Sequence, residues 1–239
     1  HRIANRSGRI GRGLCIHPAT RVAAEFDEII DGFNGLPQGA YIDHWADRGV
    51  MLEGIFTPPG PLAVSLPGAG PSLKHLIARY RYLSAFGVMV SDTATGKVGR
   101  RSLFNPLPVR YSLCNADAQS MQYGIARLSE IYLAAGAKQI FTSTASFPII
   151  RHREDLTAFE ATAVRPSDFE LMAFHPLGTC ALGENPDVSV VDTTLQSHDV
   201  PGLYIMDASV IPSSLGVNPQ VTIMCLALYA ARLLAEKLK

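Results

Sequence analysis

Apolar positions along this chain change period several times, and those changes predict a mixed α and β architecture. Residues 21–26, 40–43, 51–56, 109–112 and 139–143 alternate or run apolar over strand lengths. Phe33-Asn34-Gly35-Leu36-Pro37 supplies loop chemistry between the first two, and Pro58-Pro59-Gly60 stops the third. Leu73, Leu76, Ile77, Tyr80 and Leu83 recur at helical spacing and predict an amphipathic helix over 72–85. Residues 86–91 and 97–102 then read as a hairpin around a turn at 93–96. Asn115 is placed to cap a long helix to Ala135, with Ile125, Leu128, Ile131 and Tyr132 on one face and Gly136 as its stop.

The stretch 148–166 is charged and irregular, and a domain boundary is expected near 160. Ser167 and Glu170 have capping-box spacing for a short helix. Short strands are expected at 188–192 and 203–206, the second ending at Asp207. Asn218 and Pro219 suit the cap and first turn of a helix through the apolar run 223–231. That run is too short to span a bilayer.

Composition narrows the function classes. Lys plus Arg and Asp plus Glu both number 21, so no net field draws the chain to nucleic acid or anionic lipid, and a small neutral substrate suits it better. The four cysteines are far apart and form no Cys-x-x-Cys pair, which points to neither a zinc site nor a disulfide framework and makes a reducing, cytoplasmic compartment the expectation. Residues 8–13 read G-x-x-G-x-G with no apolar strand before them, a surface turn rather than a dinucleotide loop. Asn5-Arg6-Ser7 matches the glycosylation sequon, a triplet common by chance. A chain that opens on His1 without a Met leads to the expectation of an absent N-terminal part.

The candidate chemistry lies in two stretches. Phe174-His175-Pro176-Leu177-Gly178-Thr179-Cys180 sets one imidazole before a rigid turn, and residues 207–222 follow with Asp-Ala-Ser, Ile-Pro and Gly-Val-Asn-Pro. A strand ending in a carboxylate, then a Gly/Pro loop entering a helix, presents polar groups where ligands of α/β folds bind. His175 also has a plain reading as a core histidine, Asn218 as an N-cap, and Glu53 as a solvent-facing residue on an edge strand.

His175 to Cys180, Gly202 to Pro212 and Gly216-Val217-Asn218-Pro219, in that order, resemble the C-terminal part of glucose-methanol-choline (GMC) oxidoreductases, closest to cholesterol-oxidase-like and long-chain-alcohol-oxidase-like members. Gly11-Arg12-Gly13-Leu14 followed by His17-Pro18 extends the resemblance upstream. It implies an antiparallel-sheet substrate domain with helices, residues 1–160, and the returning C-terminal segment of a Rossmann-like FAD-binding domain, residues 161–239. It also implies FAD as cofactor, hydride transfer from an alcohol to flavin N5, and oxygen or another electron acceptor; the apolar richness of 51–66 and 76–90 suggests that the alcohol is hydrophobic, such as a sterol or long-chain alcohol, with core filling as its plain reading. His175 would be the active-site base and Asn218 its partner. Asp207, Ala208, Gly216, Asn218, Pro219, Gln220 and Val221 would line the flavin, and Glu53 would face the substrate. The Gly-rich nucleotide loop of the family is not in these residues, so the rest of the cofactor site would lie upstream. Two other readings are a non-catalytic flavin-binding fragment and a lyase acting on cyanohydrins.

Overall fold

A computed structural model describes residues 4–34, 38–55, 58–93 and 95–239. Parts of the expected loop at 33–37, strand at 51–56 and turn at 93–96 lie outside the described residues, as does His1. In chain order the strands are β1 (Arg12–Leu14), β2 (Ala19–Glu25), β3 (Tyr41–Ile42), β4 (Val50–Gly54), β5 (Leu83–Val90), β6 (Gly96–Val98), β7 (Val109–Arg110), β8 (Gln139–Phe141) and β9 (Ile149–Ile150). The helices are α1 (Pro59–Ser65), α2 (Pro71–Ala78), α3 (Asn115–Ala134), α4 (Arg153–Ala161) and α5 (Gln220–Lys237).

Two compact units emerge, each built from separated segments: residues 1–17, 91–113 and 173–239 in one, 18–90 and 114–172 in the other. The sequence reading expects one boundary near 160. The chain instead crosses between units at 17/18, 90/91, 113/114 and 172/173, because strand partners far apart in sequence decide which segments share a core.

The second unit is a six-stranded antiparallel sheet in the order β3-β4-β5-β2-β8-β9. Alternate residues point to opposite faces, and α3 covers the face bearing Val50 and Val88. A Cβ on Gly124 would run into the Val88 and Val50 methyls, so glycine is what lets the helix backbone come this close. Ala118, Met121, Ile125, Leu128 and Tyr132 make the buried stripe of α3. Ile131, expected on it, is exposed. On the other face α1 and α2 pack Leu62, Leu66, Leu73 and Leu76 against Ala23, Leu83 and Phe141. Buried Glu25, closing β2, is satisfied by Arg79 and by Gln139, whose Nε2 donates at 2.6 Å.

Several local expectations change. Pro58-Pro59-Gly60 opens α1 instead of only stopping a strand, with proline in the first helical turn. The helix expected over 72–85 ends at Ala78, since Leu83–Val90 is claimed by β2 and β4. The expected hairpin of 86–91 with 97–102 therefore does not form, and β6 pairs with β1 and β7. Cys114, not Asn115, caps α3, its Sγ accepting from Asp117 N at 3.4 Å. Residues 153–161, read as irregular, are helical, because Asp155 accepts the N–H groups of Arg151 (2.8 Å) and His152 (3.2 Å) and so satisfies the helix entry. Asp168 likewise closes a 3₁₀ turn at Pro166–Asp168 by accepting Arg165 N at 2.8 Å, in place of the Ser167–Glu170 box.

The first unit has a three-stranded sheet, β1-β6-β7, and a cluster in which Cys15, Leu177, Val190, Val191, Leu195, Val210 and Ile211 are buried beside Ile223, Leu226 and Ala230 of α5. The strands expected at 188–192 and 203–206 are single bridges, Leu182 to Val191, Val191 to Ser197 and Gln196 to Tyr204. No helix among the described residues is long and apolar enough to cross a membrane.

Candidate functional site

The loop carrying His175 is sewn into the first unit along both edges. On one edge Leu177 N donates to Cys15 O at 2.8 Å, Cys15 N to Leu177 O at 3.2 Å, and Gly11 N to Thr179 O at 2.7 Å. On the other, Cys180 N donates to Ser209 O at 2.8 Å and Leu182 N to Val210 O at 2.9 Å. Gly178, at φ +84°, sits where a Cβ would collide with the Gly13 carbonyl oxygen, so the turn after His175 tolerates only glycine. His175 is half-buried and Phe174 beside it exposed. Burial pushes the Cys180 thiol up, the Ser209 hydrogen bond opposes that, and Asp207 adds to it. Cys180 is thus a neutral thiol, unsuited to act as a nucleophile.

The second stretch begins at Asp207, whose Oδ1 accepts Ser209 N at 2.8 Å and Ser209 Oγ at 2.5 Å and so caps the 3₁₀ turn Ala208–Val210. Asp207 is exposed, and Ala208 packs on the hydrophobic cluster. The chain then turns through Gly216, at φ +73°, to Asn218. Pro219, one residue later than expected, occupies the cap of α5, so Asn218 lies just ahead of the helix. Pro219 is buried, while Asn218, Gln220 and Val221 are exposed at the helix entry. The first N–H groups of a helix have no intrahelical acceptor and carry partial positive charge.

A residue not singled out as a site joins the two stretches. His17 is 1% exposed, and its ring lies edge-on to His175, centroids 5.6 Å apart at 80°. His17 Nε2 accepts Leu215 N at 2.8 Å and Gly216 N at 3.0 Å. Burial lowers its pKa, His175 lowers it further, and Asp92 acts against both. The two oxygens of Asp92 accept Ile16 N and His17 N, each at 3.1 Å, and Tyr111 Oη donates to Oδ2 at 3.0 Å. The His17-Pro18 pair, an echo of His175-Pro176, was the signal in the sequence.

Glu53 lies in the other unit, on β4, half-buried, in register with Tyr41 and Gly87. Gly87 is in turn in register with Arg21 of β2, so these four positions share the sheet face opposite α3. Arg21 donates to Ser65 Oγ at 2.9 Å. The apolar stretches 51–66 and 76–90, a hint of a hydrophobic substrate in the sequence, contribute Met51, Leu52, Leu62, Leu66, Val88, Met89 and Val90 to the buried core. These residues fill the core, which is the plain reading of that apolar richness. A pocket of about 370 Å³ in this unit is bordered by Ser65, Ser143, Thr144, Asp168 and Glu170 and by none of the expected site residues.

Comparison with known proteins agrees on kinship. A profile for GMC oxidoreductases matches residues 99–227. An uncharacterized GMC-type oxidoreductase of Mycobacterium tuberculosis is 34% identical over 93% of this chain and 35% of its own length. A long-chain-alcohol oxidase of Arabidopsis thaliana is 27% identical over 98% of the chain and 33% of its own length. The chain thus spans about a third of these relatives. Among solved structures, a formate oxidase of Aspergillus oryzae superposes with a TM-score of 0.61 at 15% identity, over 96% of this chain and 48% of that one. At that identity the likeness is one of fold.

Proposed function

The chain belongs to the GMC oxidoreductase family, whose members are FAD-binding flavoenzymes, and from that premise we propose that it carries the alcohol-activating side of an FAD-dependent alcohol oxidation. The observation behind this reading is the anchoring of the His175 loop: bonded on two edges and closed by Gly178, it fixes one half-buried imidazole in the unit that also bears Asn218. An imidazole suits the task because its ordinary pKa, near about 6.5, lets it accept a hydroxyl proton at neutrality.

In this reading the substrate hydroxyl gives its proton to a ring nitrogen of His175. Asn218, exposed ahead of α5, hydrogen-bonds the substrate oxygen and holds the carbinol carbon in one orientation, which removes rotational freedom from the reacting pair. When bound, FAD would supply the hydride acceptor for that carbon, and the product would be an aldehyde or ketone. Several features of these residues suit its presence. The start of α5 offers N–H groups at exposed Gln220 and Val221, and a helix N-terminus favours negative charge. Buried His17 Nδ1 has no hydrogen-bond partner among the described residues. Asp207, Ala208, Gly216 and Pro219 complete the set assigned to the cofactor, with Asp207 keeping its second carboxylate oxygen beyond the bonds to Ser209. Substrate binding is assigned to the sheet unit, with Glu53 as a substrate-facing carboxylate, and the cofactor side to the unit that carries His175 and Asn218. The substrate is a hydrophobic alcohol, supported by the long-chain-alcohol oxidase among the relatives, and oxygen or another acceptor completes the cycle.

The test is a panel of alcohols of increasing chain length, assayed on the intact protein with oxygen and with artificial acceptors. His175→Ala is expected to lower kcat by roughly 10²- to 10⁴-fold while the flavin spectrum persists. Wild-type turnover in that variant removes His175 from the chemistry.

A further inference from the structure

We propose that His17 is a positioning residue of this site: a neutral ring with its proton on Nδ1, it fastens the turn leading into Asn218 while packing edge-on against His175. The inference rests on the reading of His175 and Asn218 as the alcohol-handling pair and adds to it a third residue that touches both stretches.

The tautomer follows from geometry. A ring nitrogen that accepts hydrogen bonds bears no proton. His17 Nε2 accepts two backbone N–H groups, from Leu215 and Gly216, so the proton of the neutral ring is on Nδ1. Gly216 is two residues before Asn218, and its left-handed turn is pinned by this bond. The same ring meets His175 at 5.6 Å. One side chain therefore constrains the backbone that delivers the amide and the ring that takes the proton.

The protein holds His17 in place against several costs. Its φ is +47°, a left-handed conformation that side-chain-bearing residues rarely adopt and that persists only where the surroundings over-determine it. What over-determines it is Asp92, which binds the N–H groups of Ile16 and His17 and is itself held by the Tyr111 hydroxyl. Nδ1–H is a buried donor with no acceptor among the described residues, a cost that a ring serving only to fill a core would not incur. Leucine or phenylalanine would fill that core without it.

Protonation works against this arrangement. A proton on Nε2 would eject both N–H donors and leave them unpaired. The charged groups facing the ring are His175, which opposes a second positive charge, and Asp92, which favours it. Burial and His175 prevail, and the pKa is held below its ordinary value. The anchor is therefore intact at neutral pH and fails only in acid.

The experiment uses the intact, flavin-loaded protein with His17→Gln, whose amide oxygen can replace the Nε2 acceptor without titrating, and His17→Phe, which keeps a ring but offers no acceptor. Ring ¹⁵N shifts of the wild-type protein at pH 7, assigned by their loss in His17→Gln, should show a bare Nε2 and a protonated Nδ1. An Nε2–H or charged ring overturns the proposal. With two imidazoles required neutral, log kcat/KM should fall in acid with a limiting slope of two in the wild type and one in His17→Gln. Equal slopes overturn it. His17→Phe should lose at least tenfold in kcat with KM changed less than threefold, and His17→Gln should recover most of that loss. If the wild-type protein oxidises no alcohol, it is the functional reading that fails, and the nitrogen shifts still decide the tautomer and the anchoring.

Discussion

Replacing Gly178 with alanine tests the scaffold of the His175 loop directly. The residue is at φ +84°, where an L side chain costs about 1–2 kcal/mol. The added methyl would also run into the backbone carbonyl of Gly13, which has no rotamer with which to escape. Separating the two strands enough to admit it sacrifices the bonds Leu177 N to Cys15 O and Gly11 N to Thr179 O, each worth about 1 kcal/mol net. The total is roughly 3–4 kcal/mol, a large share of an ordinary domain's stability. Gly202→Ala is the control. Gly202 has nearly the same φ, +82°, but nothing within 4 Å of its would-be Cβ, so only about 1–2 kcal/mol is at stake. Urea unfolding of the two variants of the intact protein, followed by circular dichroism and flavin fluorescence, should separate them clearly. A displaced loop also moves His175, and a shift of about 1 Å can cost on the order of 10²-fold in rate. If the two alanine variants unfold at the same urea concentration, the close approach of Gly178 to Gly13 is not what holds this loop.

Two further predictions concern the sheet unit. Gly124→Ala forces α3 away from Val50 and Val88 and should destabilise by about 1–2 kcal/mol, an overpacking cost partly offset by the better helix propensity of alanine; a thermal melt above the wild-type midpoint would refute it. Tyr132 is buried against the sheet, and burial pushes its phenol up while the Ser84 hydroxyl, 3.3 Å away, pulls slightly down. With the folded pKa raised, the stabilisation is complete below pH about 10 and declines as pH rises from there through the folded value. Tyr132→Phe should therefore flatten the fall in urea midpoint between pH 9 and 11, and an unchanged alkaline fall would locate the titration elsewhere.

Residues whose partners are near in sequence are legible in the sequence alone. The buried stripe Ile125, Leu128 and Tyr132 with Gly136 behind it defines α3, and alternation places β2, β3 and β4 to within a few residues. What periodicity could not resolve was competition. Leu76 and Leu83 share a helical spacing, yet Leu83 is in β5, because two neighbouring strands offer more hydrogen bonds than a longer helix would. The entry to α4 depends on Asp155 reaching back to two N–H groups, a signal hidden in a run of charges. In the site, His175 and Asn218 were visible as motif residues. His17 was visible only as a second His-Pro pair, since its role depends on N–H groups about two hundred residues away. The partition into two units was not legible, because it is decided by which distant segments pair.

That segmented construction has a consequence for biogenesis. The edge formed by Gly11 and Cys15 leaves the ribosome about 160 residues ahead of its partners, Leu177 and Thr179. At synthesis rates of about 5–20 residues per second, the wait is roughly 10–30 s. Throughout it the first segment has neither its hydrogen-bonding partner nor the α5 residues that bury Cys15 and Leu177. The sheet unit can close once residue 172 has emerged, but the His175 loop cannot be bonded on both edges until Ser209 and Val210 have followed. Among these residues the His175 loop is thus assembled after the sheet unit, which keeps its imidazole unplaced while that sheet is folding.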